Sequence, residues 1–173
     1  MLPGQPAPEP IRLQTLIVLR WVAILGQLGA VISARLFGVD FPLVPVMAVI
    51  GLTVALNSWL SFRPLQRVSD RAAALQLGFD LAQVSTLVAL TGGMTNPFAL
   101  IVLAPVTIAA TSLPTRHMLG LGLATVVMVT IAGLIATPLA FQSGRPMALD
   151  VLYQFGHWVA IVIGVVFLSA YAH

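Results

Sequence analysis

Seven consecutive residues, Gly92-Gly93-Met94-Thr95-Asn96-Pro97-Phe98, gather the types that either close a tight turn or hold a small oxygen-bearing ligand. As a turn, Gly92 or Gly93 takes the left-handed conformation that ends a helix. Asn96 then caps the next helix, and Pro97 fills its first position, where the missing N–H costs nothing. As a site, the two glycines leave the backbone bare for a planar molecule. Unpaired N–H groups at a helix start suit an oxygen acceptor, and Phe98 adds an aromatic face beside them. A lipid-soluble ring with carbonyl oxygens fits that description, and a quinone is one such molecule. The spacing alone selects neither reading.

Ionisable residues in apolar surroundings form the second group. Asp80 lies near the middle of an apolar run, where a carboxylate costs about 2.5–3.5 kcal/mol and must face a partner or a cavity. Gln76, Asp80 and Gln83 fall at i, i+4 and i+7 and share one helical face. Arg20, about two turns into the first run, lies at a depth that suits pairing with Asp80. Such a pair either fixes helix packing or relays a proton or signal. Asp80 does not reach the heptapeptide, because twelve residues at ~1.5 Å each leave about 18 Å. His157, beside Trp158 and one turn beyond Tyr153, is either an interface residue reaching water or a ligand contact near the Gly92 loop. His117 adjoins Arg116 and reads as a topology residue. His117, His157 and His173 share neither a face nor a leaflet, so no metal site is expected.

The elements that must position these residues are membrane helices. Hydrophobic residues make up 59% of the chain and charged residues 8%, with a mean hydropathy of +1.02. A water-facing surface needs about 25% charged residues, so this surface faces lipid. A spanning helix takes about 20 residues, and the 173 residues hold about six. The expected architecture is an all-α bundle of six transmembrane helices at roughly 14–36, 42–61, 72–91, 97–113, 118–140 and 152–171. Short separators make sequential helices antiparallel neighbours.

The basic residues are all arginines, and their placement sets orientation. Arg12, Arg20, Arg63, Arg67, Arg71 and Arg116 fall on one side and only Arg35 and Arg145 on the other. The positive-inside bias therefore puts both termini in the cytoplasm and the Gly92 loop outside. A pI near 10.7 is explained by this topology, and no nucleic-acid partner is expected. Residues 1–13 read as a proline-rich, disordered lead-in without a signal peptide's basic region. There are no cysteines, which excludes thiolate metal sites and thiol switching in this stretch. Pro105 breaks the fourth run and frees the carbonyl of Ile101, as a static kink or as a hinge. Gly156, Ala160 and Gly164 form a small-residue face for packing within the bundle or across a dimer.

The heptapeptide resembles the GGxxNPF signature of the RegB/PrrB family of bacterial redox-sensing histidine kinases. Thr15-Leu16-Ile17-Val18-Leu19-Arg20-Trp21, followed by Gly26-Gln27, resembles that family's first membrane helix. The resemblance covers nearly the whole chain. It implies a six-helix domain, 14–173, in the bacterial inner membrane that senses the ubiquinone pool. Ubiquinone would bind at the periplasmic loop formed by Gly92 to Phe98, and kinase activity would fall when the pool is oxidised. It further implies a homodimer and a cytoplasmic response regulator reached through a downstream kinase. The family's phosphoacceptor histidine, ATP-binding domain and redox-active cysteine have no counterpart in these residues. The chain as given is thus not expected to be an active kinase, and His173 is not the phosphorylated residue.

Two other classes compete. A small transporter or channel would run its polar pathway past Asp80, Gln76 and Gln83, although the halves show no repeat of the kind many transporters carry. A quinone-dependent redox enzyme would need a haem-ligating histidine pair, a flavin motif or a cysteine, and the residues offer none.

Overall fold

The computed structural model describes residues 13–63, 68–137, 139–146 and 150–171. The Met1–Pro10 lead-in, Arg12, Arg67 and His173 lie outside the described residues. The elements are α1 (Leu13–Leu36), β1 (Val39–Asp40), α2 (Leu43–Ser61), α3 (Asp70–Leu90), α4 (Leu103–Ser112), α5 (Thr115–Leu134), β2 (Ala140–Phe141) and α6 (Val151–Tyr171). Two 3-10 turns, Gly93–Thr95 and Ala99–Val102, join α3 to α4. Apart from α4, the helices are long and apolar enough to cross a membrane. Large apolar side chains such as Leu25, Leu52, Leu123 and Ile163 are exposed on their outer faces.

The fourth run is shorter than its composition suggests. It comprises four residues of 3-10 helix and ten of α-helix, about 23 Å in all against a hydrocarbon core of ~30 Å. The six expected spans thus become five long helices and one short segment. Proline is the reason. Pro105 is not an interior kink: it sits in the first turn of α4, where its lack of N–H is harmless. The carbonyl of Ile101 is not free either, since the Leu103 N–H donates to it.

The fifth run ends six residues early, at Leu134. Ile135 onward runs away from the helix ahead of Pro138, a residue that disfavours helix before it. The Thr137 N–H then donates to the Ala89 carbonyl of α3 at 2.9 Å. Beyond it, β2 pairs antiparallel with β1, Val39 opposite Phe141 and Asp40 opposite Ala140. This small strap departs from a purely helical expectation. It fastens the α1–α2 connection to the α5–α6 connection. Arg35 reinforces it, reaching Asp40 at 3.3 Å and lying 4.9 Å from the Phe41 ring centroid.

Packing divides the molecule into two groups. One buried cluster joins α3 to α6 through Leu77, Leu81, Val102, Val129 and Ile161, and takes in Leu16 near the start of α1. The other joins α1 and α2 with the strap through Ile24, Val46, Ile50 and Phe41. Glycines allow close approach within the first group, where Gly164 of α6 abuts Leu103 and Gly122 of α5 abuts Val165. Gly164 therefore packs within the bundle, whereas Gly156 and Ala160 are exposed.

Polar side chains bridge the groups. Arg20 meets Asp80 with Nε to Oδ1 at 2.6 Å and Nη2 to Oδ2 at 3.0 Å. Its Nη1 donates to Asn57 Oδ1 at 3.4 Å, and Asn57 Nδ2 donates to the Ile17 carbonyl at 3.0 Å. Gln27 and Gln83 exchange two amide hydrogen bonds at 3.2 and 3.0 Å. One guanidinium thus ties α1, α2 and α3 together deep in the bundle.

Removing one partner of a buried ion pair strands the other, at a cost of about 3–5 kcal/mol. We expect Asp80→Ala to destabilise the purified chain by that amount in denaturant titration. The double change Arg20→Met with Asp80→Leu should cost less than either single change. Additive costs would mean that the two residues stabilise the bundle independently.

Candidate functional site

Helix α3 ends where Thr91 turns its hydroxyl back onto the Leu87 carbonyl at 2.6 Å. Gly92 and Gly93 come next with φ of 100° and 58°, conformations that side-chain-bearing residues rarely adopt. The first 3-10 turn closes with the Thr95 and Asn96 N–H groups donating to the Gly92 and Gly93 carbonyls. Thr95 Oγ1 also donates to the Gly92 carbonyl at 2.7 Å.

Neither glycine is bare. A Cβ on Gly92 would lie 2.6 Å from Thr95 Oγ1 and 2.7 Å from Leu139 Cδ1. A Cβ on Gly93 would lie 2.5 Å from the Ala136 Cβ and 3.2 Å from the Ala132 carbonyl. The glycines are needed because the turn lies against the end of α5 and the residues after it. Both are buried, which corrects the expectation of a bare backbone.

The start of the fourth run is corrected as well. Asn96 Oδ1 accepts from the Phe98 N–H at 2.8 Å, and its Nδ2 donates to Thr91 Oγ1 at 2.6 Å. The Asn96 carbonyl takes the Ala99 N–H at 3.0 Å. Asn96 does cap the chain behind it, but the element it leads into is the second 3-10 turn. Pro97 precedes that turn and is not the first residue of a helix. The N–H groups of Thr95, Asn96, Phe98 and Ala99 are therefore engaged within the loop. Pro97 and Phe98 remain exposed, while Met94 is buried against Gly133.

Helix α6 reaches this loop with a hydrogen bond from His157. His157 Nδ1 lies 2.9 Å from the Met94 carbonyl. A carbonyl only accepts, so Nδ1 carries the proton and donates. In the neutral ring Nε2 then presents a lone pair, and in the cation it presents a second N–H. Tyr153 packs on the imidazole with ring centroids 4.7 Å apart. Trp158, one residue on, donates to Thr130 Oγ1 at 2.9 Å and holds α6 on α5. An open cavity of about 510 Å³ lies along the start of α6, lined by Asp150, Leu152, Tyr153, Gly156 and His157. The packed Tyr153 and His157 rings thus form part of its wall.

The structure thus joins Met94 to His157, and it leaves Arg20 and Asp80 in the interhelical network. Asp80 and Gln83 are held in pairs by Arg20 and Gln27. Sequence reasoning overlooked Gln27, Asn57, Thr91 and Asp150. A polar residue inside an apolar run was the available signal for the first two.

The glycine constraint is directly testable. Gly93→Ala should cost about 2–4 kcal/mol, from left-handed backbone strain and overpacking against Ala136. Gly120→Ala, which meets nothing within 4 Å in α5, should be neutral or mildly stabilising. Thermal unfolding in detergent reads both. Equal effects would remove the packing role assigned to Gly93.

Comparison with known proteins gives two curated relatives, both sensor histidine kinase RegB from Cereibacter sphaeroides. Each is 39% identical, over 164 and 165 residues respectively, covering 93% and 94% of this chain. The chain spans 36% of the length of each relative. No family model matches, and no solved structure matches.

Proposed function

The chain belongs to the RegB/PrrB family, and from that premise we propose that it is the membrane-embedded sensing segment of a histidine kinase whose ligand is ubiquinone. The observation that carries this reading is the His157 contact with the Met94 carbonyl. It couples the heptapeptide to α6 beside a cavity of suitable chemistry. The whole protein's kinase activity, its dimerisation and its response-regulator partner are part of the same proposal. So is the orientation, with the Gly92 loop periplasmic and both chain ends cytoplasmic.

Sensing requires that the two redox forms differ in free energy of binding, since a ligand shifts an equilibrium only by its differential affinity. Quinone carbonyls accept hydrogen bonds, whereas quinol hydroxyls also donate. Neutral His157, with Nδ1–H held on Met94, offers Nε2 as an acceptor and favours the quinol. Protonated His157 offers a donor and favours the quinone. Phe98 and Tyr153 supply aromatic faces to the ring, and Asn96 holds Phe98 in place through its N–H. Movement of α6 relative to the loop then carries the bias along the helix to the kinase.

The test compares ubiquinol and ubiquinone binding to the purified chain and to two variants. Replacing Asn96 and Phe98 by alanine should weaken both forms. His157→Phe should weaken ubiquinol about three- to tenfold more than ubiquinone, the worth of one hydrogen bond. Unchanged affinity in the loop variant would remove Asn96 and Phe98 from the site. Equal losses for both forms in His157→Phe would remove the redox discrimination assigned to the imidazole.

A further inference from the structure

A second opening lies between α3 and α5. It encloses about 310 Å³ and shares no lining residue with the cavity at His157. Ala82, Ser85 and Ala89 form one wall, and Met128, Ala132 and Ile135 the other. Three hydroxyl residues, Ser85, Thr86 and Thr137, interrupt an otherwise apolar lining, and the Ser85 hydroxyl is unusual. Thr53, Thr86, Thr91, Thr107, Thr125 and Thr130 each donate to the carbonyl four residues back. That is the ordinary way a helix satisfies a hydroxyl in an apolar setting. Ser85 makes no such bond. The residue is 6% exposed, and its Oγ is buried with no hydrogen-bond partner among the described residues.

Depth narrows what satisfies it. With 21 residues, α3 is about 31 Å long and matches a hydrocarbon core of ~30 Å. Ser85 is five residues from the helix end at Leu90, about 7.5 Å beneath the hydrocarbon boundary. Phospholipid ester carbonyls lie at that boundary and do not reach it. A partner at this depth is a polar group on a molecule that dissolves within the hydrocarbon, and a ring carbonyl oxygen is one that the Ser85 O–H can donate to. Small residues on the walls admit something flat and narrow.

We infer that the α3–α5 groove is a second, lipid-facing binding site for a ring carbonyl compound of the quinone class, held by a hydrogen bond from Ser85. That the carbonyl belongs to a quinone rests on the function proposed above; the orphan hydroxyl in a lipid-facing groove does not. The groove abuts the same segment that anchors the loop, since Ile135 and Thr137 line it and the Thr137 N–H is tied to Ala89. Occupancy therefore bears on the α5 end against which Gly93 rests.

Photolabelling of the full chain in lipid nanodiscs tests this, with a decyl benzoquinone carrying an azide on its ring as the probe. Peptide mapping should place label on 82–90 and 128–135, in addition to any on 92–98 and 150–157. Ser85→Ala should lower labelling of 82–90 about three- to tenfold, the loss of one hydrogen bond. Ala89→Leu should abolish it by filling the groove. Ser85→Ala removes a single oxygen, so it remains decisive where Ala89→Leu fails to fold. Label confined to 92–98 and 150–157 would overturn the groove site and leave the quinone reading standing. Unchanged labelling of 82–90 in Ser85→Ala would overturn the assigned contact. No label anywhere would overturn both the groove site and the quinone reading.

Discussion

A polar group inside hydrocarbon has no water to turn to, and its partner must come from the protein. Arg20 and Asp80 show how far that constraint organises this bundle. Neither charge is tolerable alone at its depth, so α1 must bring the guanidinium to α3, and two parallel hydrogen bonds then fix both angle and register. Asn57 completes the arrangement from α2 and is itself anchored on the backbone of α1. Further along, Gln27 and Gln83 repeat the solution without charge. Apolar packing in lipid is weakly directional, because neighbouring acyl chains are as apolar as leucine. The polar bridges supply the specificity that such packing lacks.

A related constraint governs the Gly92 loop. Its backbone must leave α3, cross the end of α5 and start a short helix without stranding N–H groups. Left-handed glycines, two 3-10 turns and the Asn96 side chain accomplish this within a few residues. The consequence is a loop in which the Thr95, Asn96, Phe98 and Ala99 N–H groups are already engaged. Outward it offers the Met94 carbonyl, which positions His157, and the exposed ring of Phe98.

Much of this was legible in the residues, and the limits are physical. Apolar runs locate five of the helices because length and hydropathy are local properties. Asp80 and Arg20 announce each other because a lone intramembrane charge requires a counter-charge at similar depth. His157 reads as a neighbour of the loop for the same reason of depth. The turn chemistry of Asn96 was legible too, but not the 3-10 geometry beyond it. The covering of Gly92 and Gly93 was not legible, because Ala132 of α5 and Ala136 and Leu139 beyond its end approach from some forty residues away. Spacing cannot tell a bare glycine from one pressed against a neighbour. Gln27 finding Gln83, and Val39 finding Phe141, likewise depend on how helices lie side by side.

The β1–β2 strap closes one end of the bundle, where it ties the α1–α2 connection to the α5–α6 connection. Towards the other end the tie is apolar, with Leu16 of α1 buried in one cluster with Ala73 and Leu77 of α3. Between the two, the bidentate Arg20–Asp80 contact fixes α1 on α3. Helices of about 30 Å convert each degree of tilt at the strap into roughly half an ångström at the far end. A tilt of α1 about the strap therefore has to break both the ion pair and the Leu16 packing.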